Sequence, residues 1–388
     1  MIRQAITAIG LALASTALAA DVPVPQTVAP AYLATIVDDE PALPRGWARG
    51  ERERWSQPVL RLPLASPSGP VATPAETERN SGLLIRWGSL NSVLTEMAVA
   101  ITTGEPDVTL HVVVSGASQQ ASAASTLAGA GADLSRIDFI VAPSNSVWMR
   151  DYGPRFIDAD GRRAGVDHIY NRPRPLDDAI PQAVLARFAE PLYDMPIVHG
   201  GGNFHLFEDG TAYMTTLIAA ENPGLSATQI QNLYASYQGL NLTLVDPLPA
   251  SFDSTQHIDM WMLPADDQRV LVNRYPNTGG IYATPFAVTE SVAALLAQRG
   301  KQVLRLDGFS AGGTHYTYAN AVVLNRLVLG CRFNGYETQN QAARVVFEQA
   351  FPTRQFVPID CSTIITLSGA LHCIVMHVPA VLLRNGFE

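Results

Sequence analysis

Apolar positions along this chain recur in two rhythms, alternating in short runs and falling at helical spacing in longer ones. The run Gly82-Leu83-Leu84-Ile85-Arg86-Trp87 reads as a strand, Leu90–Ile101 as a helix and Val108–Val114 as a second strand. Alanine-rich Ala121–Ala130 and the short run Asp138–Val141 give another helix and strand. Four hairpins follow, each a pair of alternating segments around a turn. Their turns are Asp158-Ala159-Asp160-Gly161, Glu208-Asp209-Gly210, Pro264-Ala265-Asp266-Asp267-Gln268 and Asn325-Arg326. Helices are predicted between them over Ile180–Phe188, Ala227–Tyr237, Pro285–Arg299 and Gln339–Ala350, and a short strand closes each unit. This strand-hairpin-helix-strand unit of roughly 45 to 60 residues recurs about five times if Leu371–Pro379 pairs with the first strand. Such repeats set in a ring bring the starts of their hairpins around one axis. The expected fold class is therefore α/β, a five-bladed, pseudo-fivefold α/β propeller, with an ordinary α/β sandwich as the alternative.

Composition narrows the partners. Net charge is −9 and only 16% of residues are charged, so there is no electrostatic case for nucleic acid or an anionic membrane surface. Residues 1–20 carry one early positive charge, a short apolar core and the small-residue site Ala17-Leu18-Ala19, the pattern of a signal peptide. A secreted or periplasmic protein is expected, with no membrane span after cleavage, because no later segment approaches spanning length free of charge. Residues 21–75 are proline-rich without periodicity and read as an N-terminal arm. The three cysteines are an odd number for an oxidising compartment. Cys373, beside His372, is expected to stay free, which leaves Cys331 and Cys361 as the available pair.

Polar groups stand at the start of each unit. In Trp148-Met149-Arg150-Asp151-Tyr152-Gly153-Pro154 a carboxylate ends an apolar stretch, and pairing of Asp151 with Arg150 is the plain structural alternative. His257 and Asp259, two apart in a strand-like run, are expected on one face. Small residues precede Cys373 and leave room for a substrate at its sulfur. A nucleophile, an acid/base and two anions fit either a Cys-His peptidase or attack on a cationic carbon. Two buried carboxylates are costly unless a cation lies between them, and a planar guanidinium satisfies both.

The Trp148–Pro154 motif, Gly200-Gly201-Gly202-Asn203, His257-Ile258-Asp259 and Leu371-His372-Cys373 together resemble the agmatine deiminase and bacterial peptidylarginine deiminase family. The resemblance implies a pentein-type propeller, a single deiminase catalytic domain over 76–388, and no metal or organic cofactor. It further implies Cys373 as nucleophile, His257 as acid/base, Asp151 and Asp259 as guanidinium ligands, and Asn320 as the polar residue beside the thiol. Trp148 and Asn203 are expected to line the substrate site. Where agmatine-specific members carry an acidic residue before Gly-Gly-Asn, this chain has His199-Gly200-Gly201. The run Asn171-Arg172-Pro173-Arg174-Pro175 resembles the part of peptidylarginine deiminases that grips the carboxylate of a C-terminal arginine. The expected reaction converts that guanidinium to a ureido group through a covalent cysteine thiouronium, with release of ammonia. Agmatine deimination to N-carbamoylputrescine, amidino transfer on the same fold, and a catalytically dead binding module are the competing readings.

Overall fold

The computed structural model describes residues 23–58 and 65–381, so the expected signal peptide lies outside the described residues. Among the described residues, hydrogen bonding gathers the strands into six separate open sheets of two to four strands each. The central strand of the first, Asn80–Arg86, pairs in parallel with Thr109–Val114 and antiparallel with Met376–Pro379, near the other end of the chain. Ile137–Val141 completes that sheet.

The next sheet is built on a tight hairpin between Arg155–Ala159 and Arg162–Tyr170. Asp160 and Gly161 at its turn both take positive φ, 54° and 78°, as a two-residue turn between right-twisted strands requires. Leu192–His199 then adds in parallel. The same order, an antiparallel pair extended by a parallel strand, recurs three times. It joins His205–Leu206, Thr211–Thr215 and Asn241–Val245, then Met262–Pro264, Arg269–Arg274 and Gln302–Asp307, then Val322–Val323, Leu327–Arg332 and Gln355–Asp360. Phe309–Ala311 and Thr314–Tyr316 form a separate ribbon.

These sheets correct the expected five-bladed, pseudo-fivefold propeller. The structure is an α/β fold of several small sheets, unequal in strand number, and none is closed into a barrel or propeller. Pattern alone counts recurring units, but it cannot tell whether hydrogen bonding carries a symmetric arrangement from one unit to the next.

The helices cover the sheets. Asn91–Gly104 is buried along most of its length because apolar or small residues face every direction, whereas Glu337–Ala350 buries only Ala343, Phe347 and Ala350. Gly280–Gln298 has the length and mean hydropathy, 1.3, of a membrane span. It nevertheless buries Val288, Val292, Ala293 and Leu296 as one stripe, and its Glu290 pairs with Arg305 at 2.6 Å, as in a helix packed on a core. Cys331 and Cys361 form a disulfide between neighbouring parallel strands. Cys331 lies opposite Ile359, and Cys361 follows the end of that strand with its N–H donating to the Arg332 carbonyl. Cys373 is free and buried.

The proline-rich arm is tied to the body at several points. Tyr32 donates to the Thr126 carbonyl, Asp38 accepts from the Asn91 N–H, Glu40 pairs with Arg86, and the Trp148 indole donates to the Leu43 carbonyl at 2.9 Å. From there the arm continues to Arg45, which is fully buried.

Candidate active site

Asp151, which ends an apolar stretch in the sequence, lies on a single helical turn, Met149–Tyr152. Gly153 closes the turn through its N–H to the Met149 carbonyl, and a Cβ there would come within 2.6 Å of that same oxygen. His257 and Asp259 likewise do not alternate along a strand: Ile258–Met260 is one turn of 3-10 helix. Gln256, just before it, is held at φ 59°, a left-handed conformation that costs a non-glycine residue on the order of 1 kcal/mol. Cys373 also sits in a 3-10 turn, His372–Ile374, one residue ahead of the strand Met376–Pro379. At each of these places the regular strand begins only after the turn. The short turns that remain aim consecutive side chains inward, which alternation cannot do.

These turns bring Asp151, His257, Asp259, Asn320 and Cys373 together, all essentially without solvent exposure. The cation that two carboxylates demand is present and belongs to the chain: it is Arg45, in the arm. Its Nε and Nη2 donate to the two oxygens of Asp151, both at 2.9 Å. Nη1 and Nη2 donate to the two oxygens of Asp259 at 3.0 and 2.9 Å. Nη2 also lies 2.8 Å from His257 Nδ1. The Asp151–Arg150 pair is not formed, because Arg150 turns the other way, to Glu76 and to His377 Nδ1 at 2.9 Å.

Gly-Gly-Asn forms the floor. The Gly201 N–H donates to the Asp151 carbonyl and the Gly202 N–H to Asp151 Oδ1. A Cβ on Gly202 would stand 1.8 Å from Arg45 Nη2, so only glycine leaves room for the guanidinium. Asn203 does not reach the guanidinium. Its side chain bonds both backbone groups of Thr215 and the Ile258 N–H, and so anchors the turn that carries Asp259.

On the other side, Cys373 Sγ lies 3.3 Å from the Ala370 N–H, 3.2 Å from Asn320 Oδ1 and 3.7 Å from Asp259 Oδ2. Asn320 also accepts from the His372 N–H and donates to the Asp259 carbonyl, so one amide fixes thiol and carboxylate relative to each other. His372 bridges Asp259 Oδ2 at 3.0 Å and Glu76 Oε2 at 2.9 Å.

Charge follows geometry. Burial by itself would push the Asp151 and Asp259 carboxyls up, but Arg45 together with His257 for Asp151, and with His372 and His257 for Asp259, outweighs it, and both stay well below the usual carboxylate range. Burial and then the two carboxylates push the Cys373 thiol well above its ordinary value, with the Arg45 guanidinium pulling the other way.

Arg172 and Arg174 are buried against the arm. Arg174 takes the Glu51 carboxylate, with Nε at 2.8 Å, and donates from Nη2 to the carbonyls of Pro44 and Gly46 on either side of Arg45. Arg172 stacks over the Trp47 ring at 4.5 Å. Trp148 holds the arm through Leu43, and its ring packs so closely on Gly369 that a Cβ there would come within 2.4 Å.

Sequence reasoning does not find Arg45, Glu51, Glu76 or the bridging role of His372. The one signal for Arg45 is a lone arginine between Pro44 and Gly46 in an otherwise unpatterned arm. Ligand atoms of Glu76, His205 and His372 lie within 4.8 Å of one another, a spacing a metal ion would accept. Glu76, however, already pairs with Arg150 and His372, and His372 with Asp259, so the cluster reads as a charge network behind the carboxylates.

A family profile described as Porphyromonas-type peptidyl-arginine deiminase matches residues 72–379. A Streptomyces coelicolor protein named "Putative agmatine deiminase" is 26% identical over 366 residues, covering 87% of this chain and 98% of its own length. Among solved structures, the agmatine deiminase of Enterococcus faecalis superposes with a TM-score of 0.71 at 18% identity, over 84% of this chain and 100% of that one. A structure described as an arginine deiminase from Porphyromonas gingivalis superposes with a TM-score of 0.69 at 20% identity, over 81% and 100% of the respective chains. At these identities the superpositions speak to the shared fold.

Proposed function

Because the chain belongs to the Porphyromonas-type peptidyl-arginine deiminase family, whose chemistry is hydrolysis of an arginine- or agmatine-like guanidinium, we propose that its substrate is a peptidyl arginine, converted to citrulline with release of ammonia. The observation that carries this reading is a guanidinium held on Asp151, Asp259 and His257 with peptide backbone on both sides of it.

In the proposed mechanism Asp151 and Asp259 fix the guanidinium plane. The Cys373 thiolate adds to Cζ, and the nitrogen facing His257 leaves as ammonia after taking a proton from that ring. The thiouronium that remains is attacked by a water that His257 deprotonates, and collapse returns the thiolate and leaves the ureido oxygen. Bound cation and thiolate assist each other, since burial and then the two carboxylates push the thiol up and the guanidinium pulls it back down. Asn320 positions Sγ, and the residues so assigned are all chain groups that need no cofactor for these steps.

Arg172 and Arg174 support a substrate carrying carbonyl or carboxylate oxygens near its arginine, because Arg174 already holds a carboxylate and two carbonyls of the arm. Among the described residues, Arg172 Nε and Arg174 Nη1 are buried without a protein partner and offer further donors. The second reading is agmatine, favoured by the name of the Streptomyces relative. Against it, agmatine would bring an ammonium toward two arginines. The deciding measurement is kcat/KM on a peptide ending in arginine, its C-terminal amide, a peptide with internal arginine, and agmatine, with ammonia and ureido product both quantified. Agmatine turned over as well as the peptides would replace the peptidyl reading, and amidine passed to an amine without ammonia would make the protein a transferase. Export is part of the same proposal, supported by the Cys331–Cys361 disulfide, since such bonds persist mainly in oxidising compartments. Fractionation of the producing cells tests it.

A further inference from the structure

Arg45 is not fastened like a structural arginine. Between Ala31 and Pro58 only Arg45, Gly46 and Glu51 are buried, so an otherwise accessible arm sends one guanidinium to the bottom of the site. There it meets every group a guanidine substrate needs. Both carboxylates hold it in one plane, His257 Nδ1 touches Nη2, and Asp259 Oδ2 is shared by Nη2 at 2.9 Å and Cys373 Sγ at 3.7 Å. The flanking backbone is held as a bound peptide would be: the Arg45 N–H donates to the Leu367 carbonyl at 2.9 Å, Trp148 binds the Leu43 carbonyl, and Arg174 binds the carbonyls of Pro44 and Gly46.

We propose that Arg45 is the chain's own substrate, converted to citrulline in place by Cys373, and that the loss of its charge releases the arm and opens the site to guanidines from outside. The inference rests on the deiminase reading above. The Sγ–Cζ bond forms as Cζ–Nη2 breaks, and Nη2 departs as ammonia with a proton from His257. Water then supplies the oxygen, the Sγ–Cζ bond breaks, and the thiol, His257 and a ureido side chain are left. A neutral ureido group sets a carbonyl oxygen against carboxylates that had two N–H donors each, and it no longer offsets their charge. The product therefore holds the arm far less firmly than the arginine does.

The experiment follows the peptide containing position 45 by mass spectrometry, alongside turnover of an outside arginine peptide. In freshly made wild type, position 45 is expected to gain the mass difference between an imine and an oxygen at a rate independent of protein concentration. Outside turnover should show a lag that ends as this conversion completes. Cys373→Ala should keep arginine at position 45, also when mixed with a trace of active chain. Arg45→Ala and Arg45→Gln should turn over the outside peptide without a lag, the second checking that the first has not merely lost its fold. Arginine still present at position 45 in wild type overturns the proposal, whether that protein is active or silent, and so does a conversion rate that rises with concentration. If both Arg45 variants are folded and inactive on every guanidine, the deiminase reading itself fails. If they are active while Arg45 stays unmodified in wild type, only the reaction in cis is wrong.

Discussion

At position 202 the space that a methyl group would occupy is already filled by a guanidinium nitrogen, 1.8 Å away, and by oxygens of Asp259 and Asp151 at 2.7 and 2.8 Å. Gly202→Ala should therefore lower kcat/KM for an arginine substrate by about 100-fold or more, as ångström-scale misplacement at a reacting centre does. Steady-state rates, with circular dichroism to show that the fold persists, check this. Cys373→Ala should abolish ammonia release outright, and any residual turnover of the thoroughly purified variant would remove Cys373 from the role of nucleophile. Asp259→Asn should cost more than Asp151→Asn. Asp259 binds Arg45, His372 and the thiol, whereas Asp151 binds Arg45 and the Gly202 N–H and approaches His257, so only the change at Asp259 also disturbs the sulfur directly. A comparison of kcat and KM in the two variants decides it.

Among the elements, the turn carrying Asp151 is set from behind by Asp177, which accepts N–H groups of Asn145 and Ser146 and the Ser146 hydroxyl. Burial raises the Asp177 carboxyl from 3.8 to about 6. Between those two values the folded chain keeps a proton that the unfolded chain has already lost, so this group's contribution to stability falls as pH rises through that window. The melting temperature of wild type relative to Asp177→Asn should accordingly drop between pH about 4 and about 6. The disulfide works on a different link of the chain. It closes a loop of 30 residues, for which loop entropy predicts about 3–4 kcal/mol. Cys331→Ser or Cys361→Ser should lower the unfolding free energy, read from denaturant titration, by an amount of that order while turnover at 25 °C is spared.

Many of these elements are legible in the amino-acid sequence, for reasons that differ from one to the next. Alternation and turn chemistry locate the hairpins at Asp160-Gly161 and Glu208-Asp209-Gly210 because those signals are local. Asp151 and Asp259 by themselves also imply that a cation must lie between them. What no local pattern contains is where that cation comes from, since Arg45 reaches Asp259 across 214 positions from a segment without periodicity. The errors share that origin. Recurrence of a unit does not entail ring symmetry, and alternation does not continue through His257 and Asp259, where the backbone instead turns.

For the molecule as a whole, the first sheet is the decisive element. Its middle strand, Asn80–Arg86, is flanked by Thr109–Val114 from nearby in sequence and by Met376–Pro379 from the far end. A chain ending before Met376 should fail to reach the native state, because it leaves the buried edge of that strand unpaired, and near-ultraviolet circular dichroism of such a truncation tests this. Contacts that join distant parts of a chain close late, after the entropy of the intervening loop has been overcome. During synthesis the segments bearing Arg45, Asp151 and Asp259 leave the ribosome before the turn that carries Cys373. Both carboxylates and the cation that compensates them are thus made before the sulfur, so their charges can be matched without it. Assembly order, as much as the finished geometry, would make a guanidinium the first thing the thiol meets.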